Sequence, residues 1–386
     1  MFPANFLQTV LHSLLFSSTH SSDPQPDRML ATPSLQVAAS LGAILSSTAA
    51  AATATPTPAS RGLLVDAAPG TPQPYVLPNL QGHAVDFGGL IIRTLVPNTT
   101  SSGAFSLVGV NSGPAPLNLI HYHKEIEAFY TLKGSVQVFH NADTGRELRA
   151  NDFVFLAPGN NHTYRPNDLD FQLTLGMAPG GIDRFFAAAG LPYNSTAPFD
   201  PQDASQLNVT KVLGLMPQYN IVPEPFNTIN LDWTNGTTAD GLDTWHVADQ
   251  SLPNDPTKAY FVSSNRGPKY LHRSSGQVVA QLASGKQTSN KLSVASIAIK
   301  PNNKQSQLQF NVDQAFQVTE GQLHLEIDGE TVQLIFGDLA FIPKRTCFSY
   351  WSTVGFTKMV NWAAGSGLAD SLISEAEAWE YGVWPA

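Results

Sequence analysis

The sequence predicts an all-β protein made of two antiparallel β-barrels of the jelly-roll type, with a few short helices. Glycine (29) and proline (28) are abundant among the 386 residues and only 13% are charged, which is typical of a turn-rich β protein. A strand-turn-strand pattern occurs twice, in residues 134–158 and again in 321–343. Because repetition of one supersecondary unit indicates repetition of one domain, we expect two barrels, each with its own core.

Residues 1–60 are expected to form an extension, a signal peptide and a low-complexity tract. Arg28 precedes an apolar run at residues 35–45 and then small residues, which is the pattern of a signal peptide that starts at Met29. Residues 1–28 would then be an upstream extension, and the Ala/Thr/Pro-rich tract 48–59 would be disordered or removed. The apolar run is too short to span a membrane. We therefore expect a secreted protein with no membrane partner.

Export agrees with the pattern of Asn-x-Ser/Thr triplets and with the cysteine content. The chain contains five such triplets, although triplets of this kind also arise by chance in a chain rich in Ser and Thr. The triplet at Asn161 adjoins His162, so we expect it to stay unmodified. The single cysteine, Cys347, cannot form an intramolecular disulfide and is expected to be a small buried hydrophobe. The expected glycosylation sites are Asn98, Asn194, Asn208 and Asn235.

The first barrel is expected over residues 61–180 and the second over 286–386. In the first, alternating strands at 134–139 and 151–158 flank a turn at 141–145. In the second, strands at 321–326 and 337–343 enclose Asp328-Gly329-Glu330, and Asp-Gly is a strong hairpin signal.

The segment 181–285 is less regular and is expected to link the barrels. Residues 182–189 predict a short helix, with Gly190 as its C-cap. Residues 259–262 and, just beyond the segment, 292–299 predict strands. At the far end, Leu368 to Tyr381 contains Ala, Glu and Leu in helical proportion and predicts a C-terminal helix.

Three histidines and a glutamate form a candidate metal-binding set in the first barrel. His121, His123 and Glu127 share one parity, so they would project from the same face of an extended strand. His162 lies where a second strand would run back alongside, and could close the site. Imidazole with carboxylate suits Cu, Fe, Ni, Mn or Zn. The His-x-His pair alone could also lie on the exposed face of an edge strand, and Glu125 is a competing carboxylate that we expect at the rim of the pocket.

The spacing His-x-His-x3-Glu-x6-Gly, followed by the Asp152 to Pro158 run and by His162, resembles the two signature motifs of the cupin superfamily. Those proteins are small antiparallel barrels that hold one metal ion. Gly134 completes the first motif and favours Glu127 over Glu125 as the ligand. With its two lobes, the chain is identified as a bicupin.

The second lobe departs from the ligand pattern at every position. Leu308 and Phe310 correspond to His121 and His123, and Gln314 corresponds to Glu127. Either Cys347 or Phe348 corresponds to His162. Since apolar side chains fill a barrel, we expect one metal ion per chain, in the N-terminal lobe.

The layout most resembles the fungal quercetin 2,3-dioxygenases, which are secreted bicupins with ligands in the N-terminal lobe alone. The local sequence resembles that family at residues 81–85, 102–107 and 127–134. One departure is that the family usually has four residues between the second His and the Glu, and this chain has three. The resemblance implies a Cu(II) ion, with Fe, Ni or Mn as alternatives, and Glu127 as the base toward a flavonol 3-hydroxyl. Ring cleavage by dioxygen would then give a depside and carbon monoxide.

A planar aromatic substrate also requires apolar walls. Phe129 and Tyr164 each lie two residues beyond a ligand and keep its strand parity. Such residues are also what any barrel core contains. The expected substrate-binding residues are Phe129, Tyr164, Phe105, Val108, Val110 and Met177.

Other functions compete with this one. A manganese oxalate oxidase or decarboxylase has the same ligand set but binds a small dianion, for which Arg165 is the nearby basic candidate, and a non-catalytic cupin is a further alternative. A net charge of −9 without a basic stripe argues against nucleic-acid binding. The expected partners are a small aromatic substrate and dioxygen, and a homodimer stays open as the assembly.

Overall fold

The structure, a computed structural model, describes residues 62–115, 118–201, 207–235, 251–264 and 266–385. The extension, signal peptide and low-complexity tract expected at residues 1–60 lie outside the described residues. Residues Gly62–Ala386 form one compact unit. Among the described residues, no helix combines the length and the apolar character needed to cross a bilayer.

The regular structure of the described residues is mostly β-strand, as the sequence predicts. The strands are β1 (Tyr75–Leu77), β2 (Ala84–Asp86), β3 (Ile91–Val96), β4 (Ser106–Ser112), β5 (His121–Tyr122), β6 (Ile126–Lys133), β7 (Ser135–His140), β8 (Gly145–Arg149), β9 (Phe153–Leu156), β10 (His162–Pro166), β11 (Phe171–Ala178), β12 (Leu191–Tyr193), β13 (Val222–Pro223), β14 (Trp233–Asn235), β15 (Tyr260–Val262), β16 (Lys269–His272), β17 (Gln277–Ala283), β18 (Ser293–Ile299), β19 (Gln305–Leu308), β20 (Gln314–Glu320), β21 (Leu323–Ile327), β22 (Glu330–Leu334), β23 (Leu339–Ile342), β24 (Phe348–Trp351), β25 (Thr357–Ala363) and β26 (Glu377–Trp379).

The helices of the described residues are short. They are α1 (Ile182–Ala189), α2 (Val209–Leu215), α3 (Gly285–Thr288) and α4 (Leu368–Ser374), with 3-10 turns at Met216–Tyr219 and Phe226–Thr228.

Two sheets build each lobe. The N-terminal lobe pairs an eight-stranded sheet, β12-β2-β3-β4-β11-β6-β9-β15, with a six-stranded sheet, β13-β5-β10-β7-β8-β14. The C-terminal lobe repeats this plan with β1-β23-β20-β25-β18-β17-β16-β26 and β19-β24-β21-β22. The central order β4-β11-β6-β9 recurs as β18-β25-β20-β23, so the sequence repeat corresponds to a repeat of topology. The all-β fold in two lobes is thereby confirmed.

Each lobe also receives a three-residue strand from the other half of the chain. Tyr75 of β1 pairs with Phe341 of β23, and Tyr260 of β15 pairs with Phe155 of β9. Both tyrosine rings stack on their partners at an interplanar angle of 26°. Their hydroxyls donate to equivalent carbonyls, Tyr75 to that of Leu95 and Tyr260 to that of Leu282, at 2.6 and 2.8 Å. These strands cover sheet edges that would otherwise stay open, and they join the lobes.

The lobes share a hydrophobic core that includes Phe105, Phe155, Phe341 and Trp362, all fully buried. Thr174 of β11 donates a hydrogen bond of 2.6 Å to the side-chain oxygen of Gln317 on β20, within this interface. A polar bond in a buried interface fixes the register of the two sheets, because either group left alone would be unsatisfied.

Two local predictions differ from the structure in detail. Gly190 follows α1 as expected, but its φ of −77° is not left-handed. Glycine is required there because a Cβ would lie 2.8 Å from the side chain of Val85. The predicted C-terminal helix ends at Ser374, and residues Glu377–Trp379 form β26 on the edge of β16. The backbone hydrogen bonds offered by that edge outweigh the helical propensity of the Glu and Ala residues in this segment.

Candidate metal centre

The four predicted ligands converge in the N-terminal lobe. His121 on β5 lies directly opposite His162 on β10, so the two rings share one face of the six-stranded sheet. Their ring centroids are 4.4 Å apart, and the ring of His123 lies 5.0 Å from that of His162. One ligand atom from each of His121, His123, His162 and Glu127 lies within 4.8 Å of the others.

These side chains do not come from one continuous strand. The chain bends at Lys124 and Glu125, between β5 in the six-stranded sheet and β6 in the eight-stranded sheet. Glu127 is the second residue of β6, so its carboxylate approaches from the sheet that faces His121 and His162. The site therefore lies between two sheets, which explains why it is buried.

All three imidazoles are held in one orientation by the backbone. The Nδ1 atoms of His121 and His162 bond the carbonyls of Leu119 and Asn160, each two residues earlier, at 2.9 and 2.8 Å. Nδ1 of His123 bonds the carbonyl of Glu125 at 3.0 Å. A carbonyl only accepts hydrogen bonds, so each Nδ1 carries the proton and each Nε2 presents its lone pair to the site.

The inner atoms of the cluster fit a metal cation. Nε2 of His162 lies 2.7 Å from Oε2 of Glu127, and Nε2 of His123 lies 3.3 Å from the same oxygen. The short contact of the His162 nitrogen lacks the geometry of a hydrogen bond, although His162 and Glu127 are only 2% and 3% exposed. Lone pairs buried so close together need a shared positive charge, and three nitrogens with one oxygen suit a borderline transition metal.

The pKa values favour deprotonated ligands at His121 and Glu127. Burial, assisted by the nearby His162 and His123, lowers the pKa of His121 to about 3. Burial alone would raise the pKa of Glu127, but His162 and His123 outweigh it and hold that pKa well below its usual range. For His123, burial is outweighed by the adjacent Glu127, which raises its pKa. Metal binding would displace that proton, because a ligating imidazole must be neutral.

Glu125 is not a metal ligand, but it lies closer to the site than the solvated rim position expected of it. Its side chain is 18% exposed, and one carboxylate oxygen is 3.8 Å from Nδ1 of His123. The other oxygen accepts a hydrogen bond of 3.3 Å from Asn220. Glu125 therefore supports His123 from outside the cluster.

An apolar pocket opens from His121 and Glu127. It contains about 430 Å³ of space not filled by atoms, part of which is bulk solvent, and about 30 Å³ is open to the centres of water molecules. Asn118, His121, Glu127 and Tyr164 provide the polar groups at the metal end. The rest of the wall is formed by Phe87, Leu119, Leu175, Ile182, Phe185, Phe186, Val212, Met216 and Ile221.

The residues expected to bind substrate take different positions. Tyr164 lines the pocket, and Phe129 packs edge-on against its ring, 5.5 Å away, in the core behind it. Met177 lines an adjoining polar recess beside Arg184 and Asn220, in which about 290 Å³ is open to the centres of water molecules. Phe105, Val108 and Val110 do not line the pocket: Phe105 lies in the core between the lobes, and both valines in the N-terminal core.

The helical wall of the pocket was missed by sequence reasoning. Phe185 and Phe186 of α1 and Val212 of α2 line the pocket, whereas α1 was expected only to pack the lobes together. The signal available in the sequence was the apolar face of residues 182–189, because this face is larger than a helix that only links two domains requires.

The second lobe has no comparable cluster within the described residues. Leu308 faces Phe348 across β19 and β24, as His121 faces His162, so Phe348 rather than Cys347 corresponds to the third histidine. Gln314 is buried, and its side-chain oxygen binds Asn361 and the backbone N–H of Leu368. Cys347 is exposed, in contrast to the expected buried position.

Of the expected glycosylation sites, Asn194 and Asn208 are exposed, and Asn208 caps α2 by accepting from the N–H of Lys211. Asn98 is half-buried, and its Oδ1 atom is buried without a hydrogen bond. The side chain of Asn235 lies outside the described residues.

Comparison with known proteins identifies relatives of this chain. It is 30% identical over 347 residues to quercetin 2,3-dioxygenase of Aspergillus japonicus, which covers 84% of this chain and 98% of the relative. It is 22% identical over 293 residues to quercetin 2,3-dioxygenase of Bacillus subtilis (strain 168), covering 74% and 81%. No family model matches the chain.

Similar solved structures are more distant. They include a variant of oxalate decarboxylase from B. subtilis, with a TM-score of 0.46 and 14% identity over 75% of this chain and 77% of that one. Procruciferin of Brassica napus has a TM-score of 0.45 and 13% identity over 76% and 85%. At these values the likeness carries no functional information. The fungal relative is decisive, and the chain belongs to the quercetin 2,3-dioxygenase family of cupin oxidoreductases.

Proposed function

We propose that this protein is a copper-dependent dioxygenase that opens the heterocycle of a flavonol such as quercetin, giving a depside and carbon monoxide. The observation that carries the proposal is that His121 and Glu127 belong both to the metal-binding cluster and to the wall of an apolar pocket. An aromatic hydroxyl bound in that pocket would meet a buried carboxylate beside the metal. The identity with a fungal enzyme of that name supports the assignment.

His121, His123, His162 and Glu127 would hold the metal. The same donors accept Fe, Ni or Mn, so copper is proposed on the strength of the family resemblance. When bound, the ion would supply Lewis acidity and a redox couple for reaction with dioxygen. The carbonyls that fix each Nδ1 proton keep the rings in the orientation that this requires.

Glu127 is proposed to accept the proton of the flavonol 3-hydroxyl. Burial by itself raises the pKa of this carboxyl, and a bound cation would lower both that pKa and the pKa of a hydroxyl that approaches the metal. Loss of the proton moves electron density into the ring, to which dioxygen adds. The reaction balances as flavonol plus dioxygen to depside plus carbon monoxide, with both atoms of dioxygen retained in the depside.

The apolar pocket supports a planar aromatic substrate. Phe87, Phe185 and Phe186 provide aromatic walls, and rings of this kind stack on or pack edge-on against a bound aromatic. The space open to the centres of water molecules, about 30 Å³, is far below the roughly 300–1,000 Å³ of pockets that hold drug-sized ligands. We therefore propose that the side chains of α1 and α2 shift when the substrate enters.

The pocket argues against oxalate as the substrate. A small dianion needs a cationic partner, but none of the described residues that line the pocket is a lysine or an arginine. Arg165, the expected candidate, bonds the side chain of Gln137 and lies over the ring of Phe139, 5.9 Å from its centroid. Alternation along β10 points it away from His162 and Tyr164.

We also propose that the enzyme is secreted. The support is the signal-peptide pattern at residues 29–52, which lies outside the described residues, and the exposure of the triplets at Asn194 and Asn208.

The test is to incubate the purified, metal-loaded protein with quercetin in air and under nitrogen, and to measure carbon monoxide and depside. The proposal requires both products in equal amounts, in air alone. Protein that contains metal, leaves quercetin untouched and consumes oxalate would overturn it in favour of an oxalate-degrading cupin.

A further inference from the structure

The hydroxyl group of Tyr164 lies near the side chain of Asn118, but it makes no well-formed hydrogen bond with Asn118 or with any other described residue. The residue is 3% exposed, and its Oη atom is buried without a well-formed hydrogen bond. Other buried tyrosines of this chain are bonded: Tyr75 and Tyr260 donate to carbonyls, and Tyr350 donates to Gln277 at 2.7 Å. A buried hydroxyl without a partner costs stability, so its presence in this pocket calls for a reason outside the fold.

The position of this hydroxyl is fixed by its surroundings. Tyr164 lies two residues after His162 on β10, so alternation along the strand directs both side chains to the interior of the barrel. Phe129 packs edge-on against the ring, and Glu127 and Tyr164 line the same pocket. The phenol therefore lies at the metal end of the pocket.

Asn118 lies beside Tyr164 in the same wall and is equally well fixed. Its N–H donates to the carbonyl of Tyr164 at 3.1 Å, and its carbonyl accepts from the hydroxyl of Thr163 at 2.8 Å. Its side-chain oxygen accepts from the N–H of Leu119 at 2.9 Å, which leaves the amide nitrogen of the side chain as a donor. Two neutral donors thus stand next to one carboxylate, and the rest of the pocket wall is apolar.

This arrangement fits a substrate with two neighbouring oxygens. Glu127 accepts hydrogen bonds, so it pairs with a hydroxyl group, while Tyr164 and Asn118 donate, so they pair with a carbonyl oxygen. We propose that Tyr164 is a specificity-determining residue, whose hydroxyl donates a hydrogen bond to the carbonyl adjacent to the hydroxyl that Glu127 deprotonates. The inference rests on the proposed function and deepens it: the substrate class is an aromatic vicinal hydroxy-ketone, which in a flavonol is the 3-hydroxy-4-keto unit.

The substitution that tests this is Tyr164→Phe, with Tyr260→Phe as the matched control. Both remove one buried hydroxyl, but that of Tyr260 is bonded to Leu282 at 2.8 Å in the core between the lobes. The probes are quercetin and luteolin, bound without turnover to the metal-loaded protein in the absence of oxygen. Luteolin is the flavone that lacks the 3-hydroxyl of quercetin and keeps its 4-carbonyl.

Loss of the donor leaves the bound carbonyl unsatisfied, so Tyr164→Phe should raise the Kd of both compounds by about 5- to 100-fold. It should leave the midpoint of thermal unfolding unchanged or raised, because no bond of the free protein is lost. Tyr260→Phe should do the reverse, lowering the midpoint and leaving both Kd values unchanged.

Three results would overturn the inference. A change in Kd of less than twofold for both compounds removes Tyr164 from substrate recognition. Weakened binding of quercetin alone would assign the hydroxyl to the 3-oxygen instead of the carbonyl. A fall in midpoint as large as that of Tyr260→Phe would make the hydroxyl structural. Wild-type protein that binds neither compound would overturn the proposed function as well, so the two failures are distinguishable.

Discussion

Replacing Glu127 with glutamine separates the chemistry of the carboxylate from its place in the cluster. Glutamine keeps the shape of the side chain, and its amide oxygen can occupy the position 2.7 Å from His162 and 3.3 Å from His123. It cannot accept the substrate proton. His121, His123 and His162 remain as ligands, so the variant should still bind metal when the ion is supplied in excess.

The expected loss follows from the role of a positioned base. Such a base accelerates proton transfer by about 10²- to 10⁴-fold, which corresponds to about 2.7–5.5 kcal/mol of transition-state stabilisation. We therefore expect kcat per bound metal ion to fall by at least about 100-fold. Glu125→Gln is the control: it removes a carboxylate 3.8 Å from Nδ1 of His123 but keeps the Glu125 carbonyl that this nitrogen bonds. Because this nitrogen keeps its carbonyl partner, the loss in activity should be about tenfold, at the lower end of the range for groups that support a metal ligand.

The assay is carbon monoxide release under saturating quercetin and oxygen, with bound metal measured on the same samples. Metal-loaded Glu127→Gln that keeps more than about a tenth of the wild-type kcat would refute the base assignment. Equal losses in the two variants would show that the negative charge near His123 matters, rather than the carboxylate in the pocket.

Three further predictions concern metal binding, acidity and the contact between the lobes. Metal at about 100 times its Kd should raise the free energy of unfolding of the wild type and of His324→Ala by about 2.7 kcal/mol, as measured by calorimetry. The same metal concentration should hardly stabilise His162→Ala. Equal stabilisation of all three proteins would contradict a single site in the N-terminal lobe. Without metal, His121 of the folded protein has a pKa of about 3 and stays neutral above that pH. In the unfolded chain the same imidazole takes up a proton near a pH of about 6.5. The unfolded state thus binds more protons between these pH values, so the free energy of unfolding falls as the pH drops from about 6.5 toward 3. In urea unfolding, His121→Asn should show a pH dependence of this free energy that is weaker by up to one proton. An unchanged pH dependence would contradict the assignment. Thr174→Val should lower the free energy of unfolding in urea by about 1–3 kcal/mol, because it leaves the buried side-chain oxygen of Gln317 without its donor. A loss below about 0.5 kcal/mol would show that this hydrogen bond does not hold the lobes together.

The sequence predicts the fold and the clustering of the four candidate ligands, because both follow from spacings that can be recognised in the sequence. The Asp328-Gly329 hairpin and Gly134, which joins β6 to β7 with a φ of +71°, are local signals with a direct backbone meaning. His121, His123, Glu127 and His162 could be named because the spacing of a motif is itself visible in the sequence.

The walls of the site could not be read in the same way. Strand parity placed Phe129 and Tyr164 on the face of the ligands, but parity cannot distinguish the lining of a cavity from the packed core around it, where Phe129, Val108 and Val110 lie. Phe185 and Phe186 reach the pocket because α1 packs against β2 and β4, a tertiary contact between distant parts of the chain. The unbonded hydroxyl of Tyr164 is likewise visible only once its neighbours are in place.

The most direct test of the account is to count the metal in the purified protein and to determine its ligands by X-ray absorption. The account predicts one ion per chain, bound by three imidazole nitrogens and carboxylate oxygen, with no sulfur ligand from Cys347. Protein that binds no transition metal under saturating conditions, or whose ion is coordinated by sulfur or by fewer than two imidazoles, would contradict it.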